Sequence, residues 1–464
     1  MKISLRATPL RVLILALPGA APAAGQWDPP NGQWGKSDPA DLRVMTWNIE
    51  DGVCSTADKS EGFNSWTALA RIVAAMRPDV LLMQEAGDNS GNGTGSGGDS
   101  VADLTVAVDL FLHGGIDPFR PGNPQVTSWV QKYAVGYDLP FVFVSSVTDN
   151  FNRNVLLSRY PFADLNGDTR SQLSDIPLLL PDLYAPGGNG GIRGFQFAEI
   201  DLPDAVYDGD LVLGGAHLKA GSSSSDLAER LRASQNVAYV IDYWFNGAGT
   251  GIPDPRNRIQ ESPPATSILD ESTPVVIGGD WNEDEQTNGR RGPADWLTQA
   301  QFAGSTDGTD RDRTDATFDS AVHFFTGSRA TFGSSTKLDY LAWQDSIAVL
   351  RRAFVFNTSG TPTGALPPEL NGFPFPSGAS TTASDHRPVI ADLILPPAPD
   401  LPGDLDGDGD VDLSDFTVFQ LCFGGSSNPP APTCPPGVDA DLDGDGDVDL
   451  ADFIIFQQNF TGSL

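Results

Sequence analysis

The amino-acid sequence predicts a layered α/β domain followed by a small module built on two cation loops, and three observations carry that reading. Near the start, "LRVMTWNIE" (Leu42 to Glu50) alternates as a strand, and "SWTALARIVAAM" (Ser65 to Met76) spaces its apolar residues as a helix. Next, "PDVLLMQEA" (Pro78 to Ala86) runs as a strand into Glu85. A strand, a helix and a strand in that order build a layered α/β domain. The third observation is a repeat near the end, "GDLDGDGDVDLSDFTVFQ" and "ADLDGDGDVDLADFIIFQ".

Taken in order, the chain opens with Lys2, Arg6 and Arg11, an apolar run from Val12 to Leu17, and small residues with Ala21 and Ala23, or Pro22 and Ala24, at cleavage positions. Residues 1–24 therefore read as a secretory signal peptide, and the protein is expected outside the cytoplasm. No later segment is long enough to span a bilayer. Residues 25–40 read as a flexible lead-in and residues 41–395 as the main domain. Within it, "GDNSGNGTGSGGDS" (Gly87 to Ser100) is Gly/Ser-rich and expected to be mobile. Further strands are expected at "FVFVSSV", "NVLLSRY", "FQFAEIDL", "LVLGGAHL", "PVVIGGDWN", "KLDYLAW" and "RPVIADLIL", with a helix at "SDLAERLRASQNVAYVIDYWF". The Pro-rich residues 396–403 read as a stiff linker that ends this domain.

The 464 residues carry a formal net charge of −33. Thirteen Asp fall in residues 404–464, which hold no Glu, Lys or Arg, and the remainder is still acidic. Such a surface repels polyanions and argues against non-specific nucleic-acid binding, while leaving room for a local basic cleft. Of the three cysteines, Cys422 and Cys434 lie close together in one Gly/Pro-rich connection and are expected to pair. Cys54 is left over and reads as a buried, unreactive thiol.

In the first repeat Asp404, Asp406, Asp408, Asp410, Asp412 and Asp415 fall at loop positions 1, 3, 5, 7, 9 and 12, with Gly409 at position 6. In the second, Asp441, Asp443, Asp445, Asp447, Asp449 and Asp452 do the same around Gly446. Hard oxygen ligands at this spacing, with Gly for the sharp turn, wrap calcium, so two Ca2+ are expected. Each loop runs into an apolar helix-like segment, "FTVFQLCF" or "FIIFQQNF". This tail resembles a type I dockerin, a paired EF-hand-like calcium module that plugs secreted proteins into cohesin-bearing partners. The resemblance implies a cohesin-like protein partner.

In the main domain the strand ends deliver Asn48, Glu85, His217, Asp280, Asn282, Asp339 and the pair Asp385 and His386. In "VVIGGDWNEDE", extended geometry after the buried Val275, Val276 and Ile277 would point Asp280 and Asn282 one way and Trp281 the other. Such a set meets the needs of metal-assisted phosphoester cleavage. A hard divalent ion takes carboxylate and amide oxygens, the attacking water needs a carboxylate base, and non-bridging oxygens need His or Asn donors.

In this order the motifs "TWNIEDG", "QEAGD", "NVLLSRYPF", "AHLKA", "GGDWNED", "KLDYLAW" and "SDHRPV" resemble the endonuclease/exonuclease/phosphatase superfamily. The resemblance implies a four-layer α/β/β/α sandwich of two packed mixed β-sheets, with Mg2+ or Mn2+ near Glu85 and Asn48. It implies that Asp280 orients or deprotonates the attacking water and that Asn282 binds the phosphate. His386, held by Asp339, would contact the scissile phosphate, Asp385 would support the metal or the water, and His217 would assist the leaving group or stabilise the phosphorane. Glu50 is expected at a supporting or second metal position, and Asn154 as a further phosphate ligand.

The bases near these motifs are few: Arg153, Arg159, Lys219, Lys337 and Arg387. No Lys/Arg-rich segment follows a DNA backbone, and "NGFPFPSG" (Asn371 to Gly378) reads as an apolar loop or as ordinary packing. The expected function is a secreted, metal-dependent phosphodiesterase acting on extracellular nucleic acid, or in second place on a phospholipid such as sphingomyelin. The reading of another class is a catalytically silent assembly protein docked through the calcium module.

Overall fold

Every residue of Leu42–Asn48 is buried, the mark of an interior strand covered on both faces. The computed structural model describes residues 27–87, 99–146, 152–165, 173–175, 192–246, 271–298, 317–398, 401–407 and 410–461. In chain order its elements begin with β1 (Trp27–Asp28), β2 (Gln33–Trp34), β3 (Leu42–Asn48), α1 (Ser65–Met76), β4 (Val80–Ala86), α2 (Val101–His113) and α3 (Val130–Tyr133). Next come β5 (Phe141–Val144), β6 (Arg153–Ser158), β7 (Leu173–Asp175), β8 (Ile192–Ile200), β9 (Leu211–Leu218), α4 (Ser224–Asn246), β10 (Val275–Asp280) and α5 (Pro293–Leu297). They end with β11 (Thr317–Phe318), β12 (Asp339–Trp343), β13 (Val349–Val355), α6 (Ala379–Ala383), β14 (Val389–Ile394), α7 (Leu413–Cys422) and α8 (Leu450–Gln458).

Two six-stranded sheets form, ordered β13-β14-β3-β4-β6-β5 and β11-β12-β10-β9-β8-β7. Both are mixed: β3 pairs in parallel with β4, and β9 with β10, among antiparallel neighbours. Alternation along each strand divides the core. Met45, Trp47, Leu81 and Met83 pack with Trp66, Leu69, Ile72, Val73 and Phe111 of α1 and α2. Val44, Leu82 and Leu156 face Leu213, Val276 and Leu341 of the other sheet. The sheets therefore lie face to face, as expected. Asn64 caps α1 by accepting from the Thr67 amide.

Two adjacent glycines relieve different contacts, Gly278 between the sheets and Gly279 against the neighbouring strand of its own sheet. A Cβ on Gly278 would sit 2.7 Å from Leu341 Cδ2, 2.8 Å from Leu82 Cδ1 and 3.2 Å from Thr46 Cβ. One on Gly279 would fall 1.7 Å from the Ala216 carbonyl oxygen. Gly278 is thus a packing device at the point where the inner faces meet.

The structure corrects the flexible lead-in. Residues 27–34 form a hairpin whose Trp34 is 2 % exposed, rings with Phe356 and Phe354, and donates its indole N–H to the Ala365 carbonyl. Gly, Pro and Asp made the segment look loose, and the two tryptophans override them by joining the core. The start of the Pro-rich stretch, as far as Ala398, is also tied down, since Asp208 N donates to Pro396 O and Ala398 N to Val206 O. The sequence reading overlooked α2 and β13. Cys54 is buried, and Cys422 and Cys434 are joined by a disulfide. Phe373 packs inside against Phe63, whereas Phe375 of the same "NGFPFPSG" loop is exposed.

The expected signal peptide and most of the Gly/Ser-rich tract, residues 88–98, lie outside the described residues. Among the described residues no helix is long and apolar enough to cross a membrane.

Candidate active site

Register alone assembles the first part of the site. Asp280, the last residue of β10, pairs with His217 of β9 on one side and with Asp339 of β12 on the other. All three lie two residues from positions that pack between the sheets, Gly278, Gly215 and Leu341, so they share the inner face. On the opposing sheet Asn48 stands two residues beyond Thr46. The close approach at Gly278 lets Asn48 Nδ2 donate to Asp280 Oδ2 across the gap at 3.0 Å.

Glu85 reaches the same place by a different device. Strict alternation from Leu82 and Gln84 would send its side chain to the helix face. Instead the β4–β6 ladder slips between Met83 and Ala86, and Glu85 adopts φ 53°, a bulge that re-aims the side chain. Its Oε1 then lies 3.6 Å from His217 Nε2, which is 3.5 Å from Asp280 Oδ2. These separations are too long for good hydrogen bonds and suit groups that share an ion or proton.

His386 completes the cluster. Its Nδ1 is 2.7 Å from Asp339 Oδ2, and its Nε2 is 3.7 Å from Asp280 Oδ2. The short turn before β14 is sewn to β3. Ser384 Oγ donates to Asn48 O, Trp47 Nε1 to His386 O, and the Asp385 amide to Glu50 Oε2. Arg387, itself buried, donates to the carbonyls of Ser384 and His386. Sequence reasoning missed Ser384 and Trp47, although each stands within a motif that it singled out, and it named Arg387 only as a nearby base.

Burial disfavours the His386 imidazolium, yet the carboxylates of Asp339 and Asp280 more than offset this and raise its pKa to about 10. Burial likewise pushes the Asp280 carboxyl above the usual range, with Asp339 and Glu85 adding to the shift and His386 opposing it. The site therefore contains an imidazolium and an unusually basic carboxylate, two groups suited to donate to and accept from one reacting centre.

The expected geometry of "GDWN" holds only as far as Asp280. Asn282 has φ 54°, so the extended alternation stops. Its amide N donates to Asp280 Oδ1 and its Nδ2 to Leu218 O at 3.0 Å. Trp281 is buried and stacks on Tyr340. Asp385 is 49 % exposed at the rim, 4.0 Å from His386 Nε2. Asn154 is buried in β6, where its backbone carbonyl accepts from Ser145 N and Gln196 Nε2. Glu85, His217 and Asp280 bring ligand atoms within 4.8 Å of one another, as do Asp280, Asp339 and His386.

A second collection of acids lies in the tail. Asp415 accepts from the amides of Leu405, Asp406 and Asp412, and Asp452 accepts from Leu442, Asp443 and Asp449 in the same pattern. Asp404 and Asp406 group with Asp415, Asp410 and Asp412 also with Asp415, and Asp441 and Asp443 with Asp452. Asp445 N donates to Asp441 and Asp443, and Asp449 caps α8. Asp447 accepts from the Ser427 amide, while Asp408 and Gly409 lie outside the described residues.

A two-sheet sandwich with carboxylates and histidines gathered at one end defines a class of hydrolase, and comparison supplies the family. The model of the "Endonuclease/Exonuclease/phosphatase family" matches residues 45–386. The chain belongs to that family and is a hydrolase acting on phosphoester bonds. An endonuclease/exonuclease/phosphatase from Beutenbergia cavernae is similar at 19% identity, with 78% of this chain and 73% of that one covered and a TM-score of 0.35. A family protein from Leptotrichia buccalis is 12% identical, with coverages of 75% and 98% and a TM-score of 0.42. The human Nocturnin catalytic domain is 12% identical over 76% and 94%, with a TM-score of 0.35. Comparison with curated proteins returns no match.

Proposed function

We propose that this hydrolase is an extracytoplasmic, divalent-metal-dependent phosphodiesterase whose substrate is nucleic acid. The observation that carries the reading is the row His217, Asp280 and Asp339 on adjacent strands, with His386 bonded behind it and Glu85 turned toward it by a bulge. Magnesium or manganese fits these groups, because buried carboxylates of like charge gain from a hard cation. Glu85 and Asn48 would hold it, with Glu50 and Asp385 toward the rim. When bound, such an ion polarises the phosphoryl oxygens.

The chain's own residues supply the remaining steps. Asp280 accepts a proton from water as the water oxygen bonds to phosphorus. The ester P–O bond breaks, and the departing oxygen takes a proton with help from His217. His386, held by Asp339, donates to a non-bridging oxygen. Asn282 uses one amide hydrogen on Leu218 and offers the other to the phosphate, and Asn154 is a further candidate ligand.

A phospholipid is the second substrate reading, favoured by the exposed rings of Phe63 and Phe375. We also infer that residues 404–464 fold around two calcium ions and dock to a cohesin-like protein. The duplicated amide bonding of Asp415 and Asp452 supports the calcium part.

The test is hydrolysis of plasmid DNA, RNA, sphingomyelin and bis-p-nitrophenyl phosphate in parallel, with Mg2+ or Mn2+ and Ca2+ present and His386→Ala as control. Cleavage of DNA or RNA that disappears in the control supports the reading. Cleavage of sphingomyelin alone transfers it to lipid.

A further inference from the structure

An aromatic ring stands exposed beside the buried histidine. Phe332 is 39 % exposed, and its ring centroid lies 4.9 Å from that of His386. The hairpin that carries it is held at every turn. Phe332 bridges to Thr336 and to His386, Thr331 Oγ1 accepts from Leu338 N and Asp339 N, and Arg387 N donates to Thr331 O. Arg329 forks onto Asp284 with both terminal nitrogens, at 2.8 and 2.7 Å. A phenyl ring on a pinned hairpin loses little conformational freedom when a ligand covers it.

Among the described residues, the bases that the motifs bring near it are largely committed to other groups. Lys337 is buried against Asp319, Arg387 is spent on backbone carbonyls, Arg153 binds the Asp99 and Ser145 carbonyls, and Lys219 lies 3.7 Å from Asp226. Glu50 and Asp385 are exposed at the rim. A contact that does not depend on charge would add affinity for a nucleic-acid strand where these bases add little.

We propose that Phe332 is a substrate-binding residue that stacks on a nucleobase next to the scissile phosphate, making an unpaired base part of what this enzyme recognises. The assignment rests on the nucleic-acid reading above. Base stacking on an aromatic ring is sequence-tolerant, so Phe332 selects for the presence of a base rather than for its identity.

The experiment compares Phe332→Ala and Phe332→Trp in the full chain, on a single-stranded oligonucleotide and on the same strand with abasic sites flanking the cleaved bond. Phe332→Ala is expected to raise KM for the normal strand about 5- to 150-fold, the ~1–3 kcal/mol of one stacked base. It should change kcat little and leave the abasic strand unaffected, while Phe332→Trp keeps KM low. Equal losses on both strands, or none, overturn the assignment. If the unaltered protein cleaves bis-p-nitrophenyl phosphate but neither strand, both the base contact and the nucleic-acid substrate fall while the phosphodiesterase chemistry stands. Melting curves of both variants separate a binding defect from misfolding.

Discussion

The protein gathers carboxylates in two places by opposite means. At the end of the sandwich, Asp280, Asp339 and Glu85 are placed by strand register and a bulge, and His217 and His386 stand among them. In the tail, residues 404–464 contain no base at all, and among the described residues backbone amides hold Asp415 and Asp452. The first cluster rests on two extensive cores. The second rests on a smaller core around Phe419, Cys422, Ala440 and Val448, with the rings of Phe416, Phe453 and Phe456 against Phe419 and one another, and on one disulfide. The surrounding sheets impose the positions of the first set of acids, whereas acids in a small loop module are expected to need a cation to offset their repulsion.

Several measurements would break or sharpen this contrast. The largest effect is expected from Asp280→Asn or His386→Ala, which should lower kcat by ~10²–10⁴-fold, the range for loss of a positioned acid or base. Circular dichroism should show the sheets retained. A loss of fold with either variant would mean that the cluster holds the sandwich together instead of using it.

Chelation should next separate the two regions. With calcium removed, amide exchange is expected to rise throughout 404–461 and to stay low in β3, β4 and β10. A saturating ion at about 100 times its Kd contributes ~2.7 kcal/mol, which the module would lose. Unchanged exchange in the tail would show that amides and the disulfide suffice.

Gly278→Ala tests the device that brings the two sheets together. The added methyl meets Leu341, Leu82 and Thr46, so a destabilisation of ~1–3 kcal/mol is expected from overpacking. Activity should fall as the bond from Asn48 to Asp280 lengthens. Full activity with a lowered Tm would show that the site tolerates a wider gap.

The smallest effect concerns Glu285, which burial raises to about 7, opposed by bonds from the Ala294 amide and Asn288. A carboxyl whose folded pKa lies above its unfolded value of 4.5 favours the fold below pH 4.5, and that contribution fades as pH rises through about 7. Glu285→Gln should therefore raise stability by on the order of 1 kcal/mol at pH 8 and change little at pH 4.5. Thermal melts at the two pH values decide it, and equal shifts would refute it.

Much of this was legible in residue order, for identifiable reasons. "SWTALARIVAAM" became α1 with the same ends, because its helical spacing and its cap are local. The repeated Asp frame in the tail was visible because loop ligation is set by spacing along the chain. The lead-in was misread because Trp27 and Trp34 find their partners at Phe324, Phe354 and Phe356, some three hundred residues away. Glu85 was picked out for its place at a strand end, but nothing local announced the bulge that turns it inward.

By itself, then, the sequence determined the main inner strands, α1 and α4, the candidate acids and histidines, and the periodic acidic loops. These depend on patterns of two to twelve residues. Tertiary structure alone decided that Asp280 sits between His217 and Asp339, that Asn48 meets it across the gap at Gly278, and that Phe332 lies open beside His386. Those relations depend on pairing and packing between segments far apart in the chain, where burial and register choose the neighbour.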